Sequence, residues 1–203
     1  MTLTIKNSSS DITTCNKENI HLAYTQNMAT ASGNLSALHF VQWEILERLA
    51  YILQSFIPFF IESNRNIKNI TDVNYAISRN LNSALSIIDR EFKIDYSKLL
   101  LTHGRLQTGM VALTKAVSGG IEFSWARYGC TGELKTHKAI LVVYCETLNE
   151  CVYNIGSARR CDFKATLEIP QLSGHEVHTW LSFLSDDECE IATSVYTGTC
   201  IIP

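Results

Sequence analysis

The sequence predicts an α+β protein in which an N-terminal amphipathic helix pair precedes an antiparallel β-sandwich. Three observations carry this. Short strand-like runs fill the chain beyond residue 105, among them Ile121-Glu-Phe-Ser-Trp125, Lys138-Ala-Ile-Leu-Val-Val-Tyr144 and Val177-His-Thr-Trp-Leu-Ser-Phe183. Turn chemistry separates them at Ser118-Gly-Gly120, Thr147-Leu-Asn149, Ser173-Gly174 and Ser185-Asp-Asp187. Short strands with turn signals between them mark a sandwich. Upstream, an apolar stripe at helical period occupies the preceding segment.

The elements follow in chain order. Residues 1–34 are rich in Ser, Thr and Asn and show no repeat at either period. They read as a flexible or partner-ordered arm. Residues 35–104 read as a helical domain with a connecting strand. Its first helix runs from Leu35 to Ile61, with Leu38, Val41, Ile45, Leu49, Ile52 and Phe56 on one stripe. Pro58 should kink or end that helix. Phe56, Ile57, Phe59, Phe60 and Ile61 form a dense apolar patch, which either packs inside the domain or contacts a subunit or partner. After an Asn-rich linker, Thr71 is the N-cap of a second helix to about Arg90, with Val73, Ile77, Leu81, Leu85 and Ile88 inward. Ile94 to Leu101 then turns extended, and His103-Gly104 ends it.

Residues 105–203 form the predicted sandwich. Strands are expected at 99–102, 110–117, 121–127, 137–146, 150–154, 161–169, 177–185 and 190–201. Pro170 suits a strand end. Along 177–183, His178, Trp180 and Ser182 share one face, which is either packed against the helices or exposed.

The bulk numbers exclude several classes. A net charge of −3 with dispersed cations argues against a phosphate-neutralising surface, so no nucleic-acid partner is expected. The most apolar stretch, 49–61, is too short to span a bilayer and is broken by Pro58. Residues 1–10 lack an apolar signal core, which favours the cytoplasm or a virion over secretion. The seven cysteines contain no CxxC and no zinc-finger spacing. An odd count without a signal peptide favours free thiols. Cys145 and Cys151 flank the Thr147–Asn149 turn and carry two readings: small hydrophobes on one sheet face, or a disulfide or shared metal.

Three clusters hold residue types that could carry chemistry. His175, Glu176 and His178 lie near Cys189 and Asp186-Asp187 in sequence, but at opposite ends of one strand, roughly 30 Å apart at about 3.3 Å per residue. His175 and His178 also point to opposite faces, which disfavours a two-histidine metal site. Asp186-Asp187-Glu188 with Glu190 is either a solvated acidic turn or an oxygen-ligand set for Ca²⁺. In Gly156-Ser-Ala-Arg-Arg160, Arg159 either contacts an anion or acidic neighbour or belongs to a solvated loop. No phosphate-cradling loop, HExxH or GxSxG occurs. No catalytic residue, cofactor or metal is therefore expected.

Two resemblances add to this reading. Phe123-Ser-Trp125, Lys138–Tyr144 and Leu172-Ser-Gly174 through Phe183 resemble the early, central and late strands of fibronectin type III domains, of immunoglobulin-like architecture. The chain departs from them in carrying Val177 where they carry a Tyr. More extensively, Ile94–Gly104, Phe123–Trp125, Lys138–Tyr144, Gly156–Arg159, Val177-His178, Phe183–Ser185 and Ser194–Gly198 resemble a family of uncharacterised proteins of about this length, found mainly in Bacteroidota. The resemblance covers roughly residues 38–198. Members often begin with a Gly-rich basic segment, where this chain has its Ser/Asn-rich arm. The resemblance implies a fold and a bacterial or bacteriophage setting, and no mechanism.

The expectation is a non-enzymatic structural or protein-interaction subunit, in a bacterial surface assembly or a virion, whose partners are copies of itself or other subunits. Its interaction candidates are Phe56, Phe59, Phe60, Trp180 and Arg159. The alternative is a glycan- or ligand-binding module, which needs an exposed coplanar set from Trp180, Tyr144, Tyr153 and Tyr196.

Overall fold

The computed structural model describes residues 49–66, 80, 84–88, 91–107, 112–126 and 132–203. The expected arm, the start of the first helix and most of the second lie outside the described residues.

Residues 49–55 are helical. The helix breaks at Phe56 and resumes as α1, Ile57–Ser63. Pro58 sits in the first turn of α1, where its missing N–H costs nothing. The expected break at proline is thus a break just before it. Strand pairs follow: β1 (Leu85–Ile88) and β2 (Glu91–Ile94) form a separate hairpin. This corrects the second helix, which was expected to continue to Arg90. Its helical stripe drew on Leu85 and Ile88, but Ile87-Ile88 is β-branched and Glu91-Phe-Lys-Ile94 alternates. A run this short fits both periods, and the cross-strand ladder decides.

The remaining strands are β3 (Ala112–Val117), β4 (Gly120–Trp125), β5 (Lys138–Cys145), β6 (Glu150–Arg159), β7 (Lys164–Glu168), β8 (Glu176–Leu184) and β9 (Val195–Ile201). They make two antiparallel sheets, ordered β3-β4-β7 and β6-β5-β8-β9. The protein is α+β and sandwich-like. The sheets close on a shared core: Ile121, Phe123, Trp125 and Leu167 from one, Leu141, Val143, Val177, Leu181 and Phe183 from the other. Period-two alternation puts these residues on one face.

Four expected strands differ most from the observed ones. Leu99–Thr102 is not a strand. It is held by side chains instead: Ser194 Oγ accepts from the Leu101 N–H at 2.9 Å and the Thr102 N–H at 3.2 Å. Residues 160–162 form a 3₁₀ turn ahead of β7. The final strand starts at Val195, preceded by bridges at Ile191 and Ala192. β6 in turn runs past Asn154 to Arg159 by way of a bulge, where Gly156 takes φ +83°.

Candidate functional site

The second face of the four-stranded sheet carries the aromatic residues singled out in the sequence. Tyr144 on β5 and Trp180 on β8 point outward from the sandwich core, because their neighbours Val143 and Leu181 point in. Phe56 lies over both, with ring centroids 5.0 Å from Tyr144 and 6.2 Å, edge-on, from Trp180. Phe59 packs on Tyr153 of β6 at 5.4 Å and on Phe60 at 5.6 Å. Trp180 donates its indole N–H to the Leu99 carbonyl at 3.1 Å.

The interaction candidates Phe56, Phe59, Phe60 and Trp180 are therefore interior: their exposures are 0, 0, 3 and 0%. Four residues of the patch, Phe56, Ile57, Phe59 and Phe60, pack inside the protein, and the fifth, Ile61, is exposed. The reason is apolar area, since an amphipathic helix and an aromatic sheet face bury each other more completely than either buries alone.

At one end of this face His178 stacks on Tyr96, with centroids 3.8 Å apart and planes at 24°. Its Nδ1 lies 3.0 Å from the Tyr196 hydroxyl. Burial disfavours the imidazolium and holds the His178 pKa below its ordinary value, while Glu146 and Glu176 pull the other way. Burial likewise pushes the Tyr96 and Tyr144 phenols up. The Tyr96 hydroxyl is buried near Tyr144 and Glu146. Tyr144 donates to Asn149 Oδ1 at 2.9 Å. His178 is half-buried, and its stacking partner Tyr96 lies in the Ile94–Leu101 connector.

Arg159, the fifth candidate, is half-exposed and pairs with Asp186 and the Thr136 carbonyl. Lys138 pairs with Glu188, which also accepts from Asn66 Nδ2 at 3.0 Å. Asp187 accepts from the Ser185 hydroxyl at 2.6 Å and the Cys189 N–H at 3.1 Å. The Ser185 contact first, and the Cys189 N–H next, hold the Asp187 carboxyl below its ordinary value; the Lys138 contact does the same for Glu188. The acidic turn thus ion-pairs with β5 and β6 and is hydrogen-bonded to Asn66 in the turn after α1. Among the described residues no group of three His, Cys, Asp or Glu could hold a metal ion.

Cys145 and Cys151 are free thiols. The turn between them has four residues, so Cys145 faces Glu150 and Tyr144 faces Cys151. That one-residue offset puts the two sulfurs on opposite faces of the sheet. Burial raises the Cys151 thiol pKa. Among the described residues no helix is long and apolar enough to cross a membrane.

Among the described residues the exposed large apolar side chains are Tyr51, Ile61, Leu113, Leu148 and Ile201. Over β6, α1 stands as a roof, with Tyr153 donating to Glu62 Oε2 at 2.9 Å.

Residues 51–198 match the model of a family of unknown function. The match begins in the helical segment that covers the sheet and ends in β9, so the seam between helix and sheet belongs to the family's unit. No curated protein and no solved structure matches the chain significantly.

Proposed function

The chain belongs to that family, DUF6266, and from this membership and the geometry above we propose a non-enzymatic structural or protein-interaction subunit built on a fibronectin type III-like sandwich. The carrying observation is that Phe56, Phe59, Tyr144 and Trp180 fasten helix to sheet, which leaves strand edges among the outward features of the described residues. Edges recruit other chains through backbone hydrogen bonds, without a catalytic constellation.

The three-plus-four division of strands, with β7 returning to β4 after β5 and β6, supports the fibronectin-like reading. So does the buried Trp125, edge-on to Phe183 at 5.7 Å. A setting in Bacteroidota or their phages, in a surface assembly or a virion, rests on the resemblance of the segments from Ile94 to Gly198. Of the four rings from which the glycan-binding alternative would draw, Trp180 and Tyr144 are fully buried, and Tyr153 and Tyr196 are half-buried.

Mass photometry and light scattering of the full chain test this reading. Self-association, or a stable complex with another subunit, is the expected result. A monomer that binds no protein and turns over a small molecule would sink it.

A further inference from the structure

We propose that the stack of His178 on Tyr96 is an acid-sensitive latch, which holds the connector of residues 95–104 on the sheet at neutral pH and releases it as the imidazole takes up a proton. The proposal goes beyond the subunit reading and does not depend on it.

Residues 99–102 cross the second face of the four-stranded sheet without joining a strand ladder. Side chains do most of the fastening. Trp180 donates to the Leu99 carbonyl at 3.1 Å, and the Asn80 amide exchanges two hydrogen bonds with the Leu100 backbone, at 2.9 and 2.7 Å. Ser194 Oγ accepts from the Leu101 and Thr102 N–H groups. Indoles, amides and hydroxyls keep one charge state across ordinary pH. Ahead of them lies the 3₁₀ turn Tyr96–Lys98, capped by Asp95, which accepts from the Ser97 N–H at 3.1 Å and pairs with Lys98 at 2.9 Å. This turn lays its Tyr96 ring on His178 at 3.8 Å. The start of the connector is thus tied to a side chain that changes charge in the physiological range.

The ring sits in an aromatic enclosure. Trp180 and Tyr196 flank it with centroids 6.2 and 6.1 Å away, and Nδ1 lies 3.0 Å from the Tyr196 hydroxyl. Burial raises the phenols of Tyr96, Tyr144 and Tyr196, so all three stay neutral. The charged groups acting on the ring are Glu176 on β8 and Glu146 in the turn after β5; both are exposed, and water screens them. A proton puts a full charge on a ring whose face under Tyr96 is closed to water. The two carboxylates favour that charge, and burial outweighs them. Lifting Tyr96 returns the face to solvent. The open connector therefore binds the proton more tightly than the closed one, and by linkage the proton drives opening. Below the ordinary histidine value of 6.5, and down to the lower value of the closed state, the open fraction rises by up to about tenfold per pH unit. A second histidine, His103, lies at the far end of the connector, with Nδ1 3.3 Å from the Thr193 hydroxyl.

Hydrogen exchange of the full chain at about pH 7.5, 6.5 and 5.5, corrected for intrinsic rates, tests the latch. Protection of amides 97–102 should fall roughly threefold or more over that range while the amides of β5 keep theirs. His178→Gln cannot titrate and should hold its protection constant. His103→Gln should leave the fall unchanged. Constant protection in the native chain, an equal loss at β5, a fall that survives His178→Gln or one abolished by His103→Gln overturns the latch. Should His178→Gln fail to fold, an NMR titration of the imidazole in the native chain decides. A His178 midpoint below 6.5, together with the loss at 97–102, supports the latch, and a midpoint at or above 6.5 overturns it.

Discussion

Trp180 does two jobs at the seam: it fills space under Phe56 and it satisfies the Leu99 carbonyl. Trp180→Ala should cost about 3–5 kcal/mol, the usual range for a buried aromatic truncation. Trp180→Phe keeps most of the apolar area but orphans the carbonyl, and should cost about 1–3 kcal/mol. Chemical denaturation of both variants measures the difference. His178 makes a pH prediction. Its ordinary pKa is 6.5 and burial lowers it in the folded state. The unfolded chain therefore takes up a proton first as pH falls. The His178 contribution is intact above about pH 6.5 and is lost as pH drops from there through the folded pKa. Melting curves between pH 7.5 and 5 should show declining stability, with a flatter slope in His178→Asn. Asp187 and Glu188 lose their contacts only at lower pH, because their folded values lie below the ordinary carboxylate values. A slope unchanged in the variant would refute the assignment to His178.

At the scale of elements, the segment leading into the sandwich is held by proximity that tolerates no side chain. A Cβ built on Gly104 falls 1.9 Å from the Ile191 carbonyl oxygen. Its φ is not in the left-handed region, so the demand for glycine is one of space alone. Gly104→Ala must displace the backbone that carries the Leu106 N–H to Ile191 carbonyl bond at 3.2 Å. Overpacking of this kind costs about 1–3 kcal/mol, and loss of the Leu106–Ala192 bridge should appear as faster amide exchange at 104–107. The helix break is a second case. Pro58 was legible as a punctuator, but its place in the first turn of α1, with Phe56 between two helical pieces, came from Phe56 finding Tyr144 and Trp180 beneath it.

For the whole molecule, the acidic turn 186–188 ion-pairs with β5 and β6 and is hydrogen-bonded to the turn after α1. Lys138 and Glu188 side chains are 21% and 38% exposed, and Arg159 and Asp186 more so. Partly exposed pairs contribute about 0–1 kcal/mol each and are screened by salt. Raising ionic strength to about 1 M should therefore lower the unfolding free energy by less than about 2 kcal/mol, well below the effect of Trp180→Ala. A salt-driven collapse of the fold would show that these ion pairs, and not the two apolar cores, hold the molecule.

The strand-rich region was legible because its chemistry is local. The sandwich strands announce themselves by period-two alternation, or in β5 by a continuous apolar run, and by the Gly, Asn and Asp turns between them, and the free state of Cys145 and Cys151 follows once the turn length fixes the register. The hairpin at Leu85–Ile94 was not legible, because four-residue runs fit a helix or a strand until a partner strand exists. The aromatic residues were legible as important but not as buried. Sequence placed His178, Trp180 and Ser182 on one face and left open what covered it; only tertiary structure set Phe56, Phe59 and Tyr96 there. By itself the sequence determined an α+β, sandwich-like class and the alternation of faces, since backbone geometry and turn residues act over a few positions. Which face meets water was decided by long-range packing, because burial depends on residues that no period along the chain connects.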